Sequence, residues 1–526
     1  MSSPRNAVDE PSEGDPTEAD PTLEGGDGSQ PSIRQYTARV LAPWSPIVVS
    51  NRAPVEPGPR GTMRKGAGGV VTALLTVAEA TGAAWVACAR TRAERERASG
   101  DRPVEVPGLG ASFQIHYATP EPDAYRWYYS VISNPLLWFL QHYLWNLAYE
   151  PVIDEGYWRA WHEGYVRVNR LFAEKVASVA ARQPRQPLIL TQDYQLYLAP
   201  SIIRGLVPNA TLQQFIHIPW PTPNYWKVIP HEMRNAILEG LLANDLVGFQ
   251  SSLDVRNFLL SCEELLGLRV DHRERAVLYG GRAVWARPYP ISIDIDNLQR
   301  LAESSGVAEE FGELQRSRVP RLIVRVDRTD PSKNIVRGFL AYERLLRAHP
   351  ELHGTVQFFA FLQPSRQDVA AYRDYLDAIR RTAQRVNTAF GRRGWTPIRL
   401  ELAENMSRAV ALYRDFDVLL VNPIYDGMNL VAKEAMMVNE RNGALVLSEN
   451  AGAYEELGEY AYAVNPFDVD ATADALHTAL TAPEKTRAEQ GEAIRRVIRN
   501  HDIGRWLSLQ LRDLRDLAPP TSQRAR

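Results

Sequence analysis

Short apolar runs suited to buried parallel strands alternate with longer stretches of helical periodicity along most of the chain. In the first half the runs are Ile47-Val48-Val49, Leu188-Ile189-Leu190, Phe215-Ile216-His217-Ile218 and Leu246-Val247-Gly248-Phe249. In the second half they are Leu322 to Val326, Val356-Gln357-Phe358-Phe359, Val418 to Val421 and Ala444-Leu445-Val446-Leu447. Regular succession of strand and helix is the pattern of βαβ units, so the fold class is α/β. Two such series predict two doubly wound domains facing one cleft. The division falls near Tyr289-Pro290-Ile291-Ser292-Ile293, ahead of a polar helix that starts around Asp294. This places a first domain over 36–290 and a second over 291–495, with a C-terminal helix over 496–517 expected to pack back on the first.

Composition narrows the class. With 526 residues, 45% hydrophobic and 23% charged, the chain can bury two cores. A net charge of −3 gives no electrostatic reason to bind nucleic acid or an anionic membrane, so small molecules are the expected partners. Assembly into a homo-oligomer stays open. Cys88 and Cys262 have no metal-ligand spacing and suit a reduced compartment. No apolar run approaches the roughly 20 residues of a membrane span, and no signal-peptide core is visible near the N-terminus. A cytoplasmic protein is expected. Residues 1–35 read as a disordered acidic tail and 518–526 as a loose end, because neither holds enough apolar surface to fold.

The chemistry-bearing stretches sit where strands end. Tyr425-Asp426-Gly427-Met428-Asn429-Leu430-Val431-Ala432-Lys433-Glu434 follows a strand and opens a helix, whose unpaired N–H groups suit a phosphate. Asp426 borders this anion site and Glu434 lies one turn inside the helix, so both could meet hydroxylated groups. The alternative makes Asp426-Gly427 a plain turn and Glu434 a solvated residue. Arg328 and Lys333, five residues apart in the loop after Leu322 to Val326, can reach the crevice where open α/β sheets bind ligands. Two fixed cations there would neutralise a diphosphate leaving group, whereas solvated surface charge is the competing role.

Ser50-Asn51-Arg52 ends the first strand, and Gly66-Ala67-Gly68-Gly69 opens a helix, together a second anion cradle. Asp193 follows a buried strand at a crevice rim. His217 ends another strand, as a ligand contact or a satisfied core residue. Tyr128-Tyr129, with Trp138 beyond, could form a sugar-binding wall or core. Asp294-Ile295-Asp296 and Asp468-Val469-Asp470 have a metal-type spacing but stand where helices begin, so capping is expected and no metal is inferred.

In this order, and over about Ile47 to Leu514, the chain resembles the trehalose-6-phosphate synthase family, retaining glycosyltransferases of the GT-B fold. The motifs that carry it are Ser50-Asn51-Arg52, Gly68-Gly69, Gln192-Asp193-Tyr194-Gln195-Leu196, His217-Ile218-Pro219-Trp220-Pro221-Thr222-Pro223, Asp245 to Gln250, Arg328 with Lys333, Pro364-Ser365-Arg366-Gln367-Asp368-Val369, and Asp426 to Glu434. The resemblance implies transfer of glucose from UDP- or GDP-glucose to glucose 6-phosphate, giving trehalose 6-phosphate. No cofactor is required, since the nucleotide-sugar is a substrate.

At matching positions it implies Arg328 and Lys333 on the donor diphosphate, Glu434 on the ribose, and Asp426 with Gly427, Met428, Asn429, Leu430 and Val431 around the donor. Gly69 would approach the donor phosphate and His217 the donor sugar, with Asp193 near the reacting centre. Arg52, Tyr129 and Arg366 would grip the acceptor phosphate. The family's Leu-Asp-Tyr-Ser-Lys-Gly is Thr329-Asp330-Pro331-Ser332-Lys333-Asn334 here. Cys88 stands where an acceptor-side Trp is common, Tyr425 replaces an Arg, and Gln192 and Gln195 stand where many members carry His. Several of these changes are similar to the pseudoglycosyltransferase that makes validoxylamine 7'-phosphate. The alternatives are therefore a transferase using glycerol 3-phosphate or an aminocyclitol phosphate, and a catalytically silent sugar-phosphate-binding regulator.

Overall fold

The computed structural model describes residues 33–57, 63–65, 69–98, 102–107 and 112–517. Most of the predicted 1–35 tail and the 518–526 end lie outside the described residues. The first helix, Ile33–Leu41, begins three residues before the boundary expected at 36, because Tyr36, Val40 and Leu41 are buried.

The first lobe is built on a ten-stranded sheet. Seven strands run parallel, in the spatial order Arg282–Pro288, Leu246–Phe249, Thr211–Phe215, Gln186–Gln192, Trp44–Ser50, Ala84–Cys88 and Phe113–Ala118. Antiparallel strands close both edges, Val104–Val106 on one side and the Val270–Asp271 and Ala276–Tyr279 pair on the other. The second lobe has six parallel strands, ordered Ile398–Leu402, Val356–Gln363, Arg321–Arg328, Val418–Val421, Ala444–Ser448 and Tyr462–Val464. The apolar runs read as near-continuous because these strands are covered by helices on both faces. In both sheets the strand order reverses direction from its first strand, and crevices form at such switch points.

The chain passes from one lobe to the other at Tyr289 to Asp294 and returns at His501 and Asp502. Asp294 and Asp502 each cap the helix that follows, accepting from the Asn297 and Arg505 amides at 3.0 and 2.9 Å. Asp468 does the same for Ala471, at 2.8 Å. The two crossings touch, since the Ile503 amide donates to the Ile293 carbonyl at 3.1 Å.

The segment expected as one C-terminal helix over 496–517 is broken at the return crossing into Glu484–Asn500 and Ile503–Asp516. The first piece packs on the second lobe. The last helix packs against Ile33–Leu41 of the first, with Trp506 edge-on to Phe215 at 5.3 Å and Gln510 accepting from Gln213 at 2.7 Å. Trp506 is 1% exposed, so Trp506→Ala should destabilise the fold by about 3–5 kcal/mol. Denaturant unfolding would measure this, and a loss under 1 kcal/mol would mean that the last helix does not anchor the lobe.

Candidate functional site

A cavity of about 400 Å³ lies between the lobes. Arg52, Tyr129, Asp193, His217, Arg328, Arg366 and Asp426 all line it, although they come from strand ends spread over much of the chain. Lys333 meets it through Asp426. Glu434 does not line it.

On the second lobe, strand Arg321–Arg328 ends in a single helical turn, Pro331–Lys333, capped by Asp330. Asn334 follows with φ +58° and ψ +36°. Asparagine is one of the few residues that adopt this left-handed conformation readily, which explains its place where the family pattern has Gly. Its amide also donates to the Pro466 carbonyl at 2.7 Å. The Lys333 ammonium pairs with Asp426, which also accepts from the Asn429 side chain at 3.0 Å. Burial opposes ionisation of Asp426, but the Lys333 charge outweighs it and holds the carboxyl below its ordinary pKa. Among the described residues, the Arg328 guanidinium makes no hydrogen bond or ion pair, while its backbone carbonyl accepts from the Asp330 amide at 2.8 Å. Its guanidinium lies 5.5 Å from the centre of the Trp138 ring and is free to donate into the cavity.

Arg366 is held differently. Its guanidinium lies 4.0 Å above Trp138 and donates to Asp330 and to the Tyr194 hydroxyl at 3.2 Å each, and to the Tyr372 hydroxyl. Asp330 is fully buried and also accepts from Trp138 Nε1, at 3.2 Å. Burial works against its charge, yet Arg366 and Arg328 pull its pKa down to about 2. Arg366 and Arg52 both hydrogen-bond Tyr129 and lower its pKa against the effect of burial. Two guanidiniums and a phenol thus share one corner, a set suited to a phosphate dianion.

On the first lobe, Asp193 takes φ +69° and accepts from the His217 amide at 3.2 Å. Burial pushes its pKa up to about 6. His217 lies two residues beyond the strand Thr211–Phe215, in the loop at its end. Burial drives its pKa down to about 3, so the ring is neutral. Its tautomer follows from its neighbours. The Ile291 amide donates to Gln250 Oε1 at 3.0 Å, which leaves Gln250 Nε2 to donate to His217 Nδ1 at 3.3 Å. His217 Nε2–H then donates to Gln192 Oε1 at 3.0 Å.

Helix Leu430–Val438 starts after Asn429 (φ +72°) with no side-chain cap, because the Asn429 amide is turned to Asp426. Its first amides are left for a ligand. Glu434 sits further along, accepting from the Tyr413 hydroxyl at 3.4 Å, and burial raises its pKa. Met428 is buried, so only its backbone is available. The lobes meet here, since any β-carbon on Gly427 would collide with the His217 carbonyl. Gly66, Ala67 and Gly68 lie outside the described residues, while the helix from Gly69 presents Val71 and Leu74 to the cavity.

The model of glycosyltransferase family 20 matches residues 45–516. The chain belongs to glycosyltransferase family 20. It is 35% identical to the bifunctional trehalose-6-phosphate synthase/phosphatase of Thermoproteus tenax, covering 88% of this chain but 62% of that longer protein. It is 32% identical to the trehalose-6-phosphate synthase of Mycobacterium marinum, covering 94% and 99% of the two. Two solved structures superpose with a TM-score of 0.77, each covering 89% of this chain. One is a trehalose-6-phosphate enzyme of E. coli bound with UDP-2-fluoro glucose (31% identity, 98% of that chain covered). The other is a UDP-forming trehalose-phosphate synthase of Burkholderia xenovorans in complex with glucose-6-phosphate (28% identity, 99% covered). The two facing doubly wound sheets are thus the GT-B fold.

In this family 20 chain, sequence reading missed the residues that hold the others in place. Asp330, Tyr194 and Tyr372 fix Arg366, and Gln250 sets the His217 tautomer, while Trp138, expected as sugar-binding wall or core, lies beneath both arginines. Asp330 carried one visible signal, a Pro at the next position and a Ser two on, which is a turn-capping pattern. The aromatic segment divides, with Tyr128 in the core and Tyr129 at the cavity, stacked on Tyr125 at 5.7 Å. Cys88 does not reach the cavity, being fully buried with its thiol pushed up to about 12. Tyr425 packs on Tyr143 at 4.4 Å, joining the lobes. Because Gly427 is where the lobes press together, Gly427→Ala should lower kcat/KM by about 10²-fold, the effect of misplacing reacting groups by about 1 Å. Steady-state kinetics beside an unchanged circular dichroism spectrum would show it, and wild-type kinetics would mean that this contact plays no part in catalysis.

Proposed function

We propose that this enzyme transfers glucose from a nucleotide-glucose to glucose 6-phosphate, with retention of configuration, giving trehalose 6-phosphate. The observation that carries the reading is the uncommitted Arg328 guanidinium, facing a cavity that also holds Arg52, Tyr129 and Arg366 across the Trp138 ring. One cationic end suits a diphosphate and the other a phosphate ester. Arg328 and Lys333, with the amides at the start of Leu430–Val438, take the charge of the leaving diphosphate. Gly69 approaches the donor phosphate and Glu434 receives the ribose hydroxyls. Asp426 and the Gly427 to Val431 backbone hold the transferred glucose.

Asp193 accepts from sugar hydroxyls at the reacting centre. His217, neutral and locked by Gln250 and Gln192, presents an uncharged face to the donor sugar. The departing phosphate oxygen takes the acceptor's proton on the same face. The chain's own contribution is to position two sugars and exclude water. Relatives named as trehalose-6-phosphate synthases favour this reading over the glycerol phosphate, aminocyclitol phosphate and silent-regulator alternatives. A cytoplasmic setting fits the two free, buried cysteines.

The test is nucleoside diphosphate release from UDP- and GDP-glucose with a panel of phosphorylated acceptors. Turnover with glucose 6-phosphate is expected. Its failure beside turnover with a cyclitol phosphate would overturn the acceptor assignment. Arg328→Ala should lower kcat by ~10²–10³-fold, the usual effect of removing one charge-stabilising donor, and unchanged turnover would remove its role.

The pH profile tests Asp193. Its pKa is raised to about 6, so it is a carboxylate above that pH and loses acceptor capacity as pH falls through it. kcat/KM should fall on the acid side with an apparent pKa of about 6, and Asp193→Asn should abolish that limb. A limb that persists in the variant belongs to the substrate's phosphate, whose second ionisation is near pH 6.

A further inference from the structure

A second and larger cavity, of about 730 Å³, lies at the paired crossings between the lobes, away from the cleft. The first lobe contributes Arg275 and Gln250, the second Glu455 and Glu456, and the return crossing His501 and Arg505. Its acidic groups are all engaged. Glu456 binds Lys433 and His501 at 2.5 and 2.7 Å, and Glu455 accepts from the Ser252 amide at 3.4 Å. Asp502 is spent on its helix cap, and Asp513 accepts from the Tyr289 hydroxyl at 2.6 Å with Arg512 and Arg287 at 3.4 and 4.0 Å.

Its arginines are not all engaged. Among the described residues, the guanidiniums of Arg273, Arg275 and Arg505 make no hydrogen bond or ion pair. Arg275 is also held at φ +52°, a backbone conformation that a non-glycine residue rarely takes. A concave, partly enclosed site with three unpaired guanidiniums focuses positive potential on whatever enters it.

Two hydrogen-bonded paths lead from this cavity to the cleft, one through Gln250 and one through Glu456 and Lys433, and Ile291 links them. Its amide donates to Gln250, which sets the His217 ring. Its carbonyl accepts from Lys433 at 3.0 Å, and Lys433 precedes Glu434 on the helix whose start faces the cleft. Gln250 and Glu456, the partners at the two ends, both line the cavity.

We propose that this cavity is a regulatory site for a small multivalent oxyanion, a metabolite with two or more phosphate or carboxylate groups. Such a ligand bridges Arg275 of the first lobe and Arg505 of the return crossing, and so biases how the lobes stand at their junction.

Isothermal titration with pyrophosphate and with citrate separates the two oxyanion classes. The cleft's own diphosphate affinity is suppressed by working in Arg328→Ala. Saturable binding of at least one probe is expected, weakened about tenfold or more when Arg275→Ala and Arg505→Ala are added. In the wild-type enzyme the same probe should change KM for the nucleotide-glucose by at least about twofold, and the Arg275→Ala/Arg505→Ala enzyme should lose that response. No saturable binding of either probe, binding undiminished by the two substitutions, or binding that leaves KM unmoved would each overturn the proposal. The titration needs no turnover, so its failure is distinct from a failure of the proposed glucosyl transfer.

Discussion

Charge withdrawn from water has to be matched, and in this protein that requirement organises the cleft. Asp330 is fully buried and stays ionised only because Arg366 and Arg328 lie close and Trp138, Ser332 and Tyr372 donate to it. Lys333 and Asp426 satisfy one another. A buried charge stripped of its partner destabilises by several kcal/mol, so these groups are placed by one another and not by substrate. Trp138 comes from the first lobe and Asp330 from the second, so the same network that orders the charges also joins the lobes. Arg328 is the exception: among the described residues its guanidinium makes no hydrogen bond or ion pair, which marks the point where a ligand's charge belongs.

How much of this could be read in advance depended on the kind of signal. The apolar runs located the parallel strands because strands covered on both faces need uninterrupted hydrophobic sequence. Val418 to Val421 matches the strand end for end. Arg328, Lys333 and Asp426 were legible because they follow such runs directly, where sheet geometry points residues into the crevice. Tyr194, Tyr372 and Gln250 were not. Their partners lie up to 172 residues away for Tyr194 and 41 for Gln250, and nothing local distinguishes them from core residues. The break in the C-terminal segment at His501 was also hidden, since it is set by packing on two different lobes.

Backbone strain supports the same division. Seven non-glycine residues among those described take positive φ, and Tyr143, Asp193, Asn334, Arg366 and Asn429 border the cleft or its lobe contacts. Strain of about 1–3 kcal/mol per residue persists only where surrounding structure over-determines it. Here it aims the Asp193 and Arg366 side chains into one cavity from opposite lobes. Arg275, a sixth, lies at the second cavity.

The hydrogen bond from Ile503 to Ile293 ties the outgoing and returning strands of the polypeptide at one point. A body attached by two separated straps can twist and shear, whereas one attached at a single doubled seam mainly swings. Any opening of the cleft would then be a hinge rotation about that seam, with small angular changes there amplified by the full radius of the lobe.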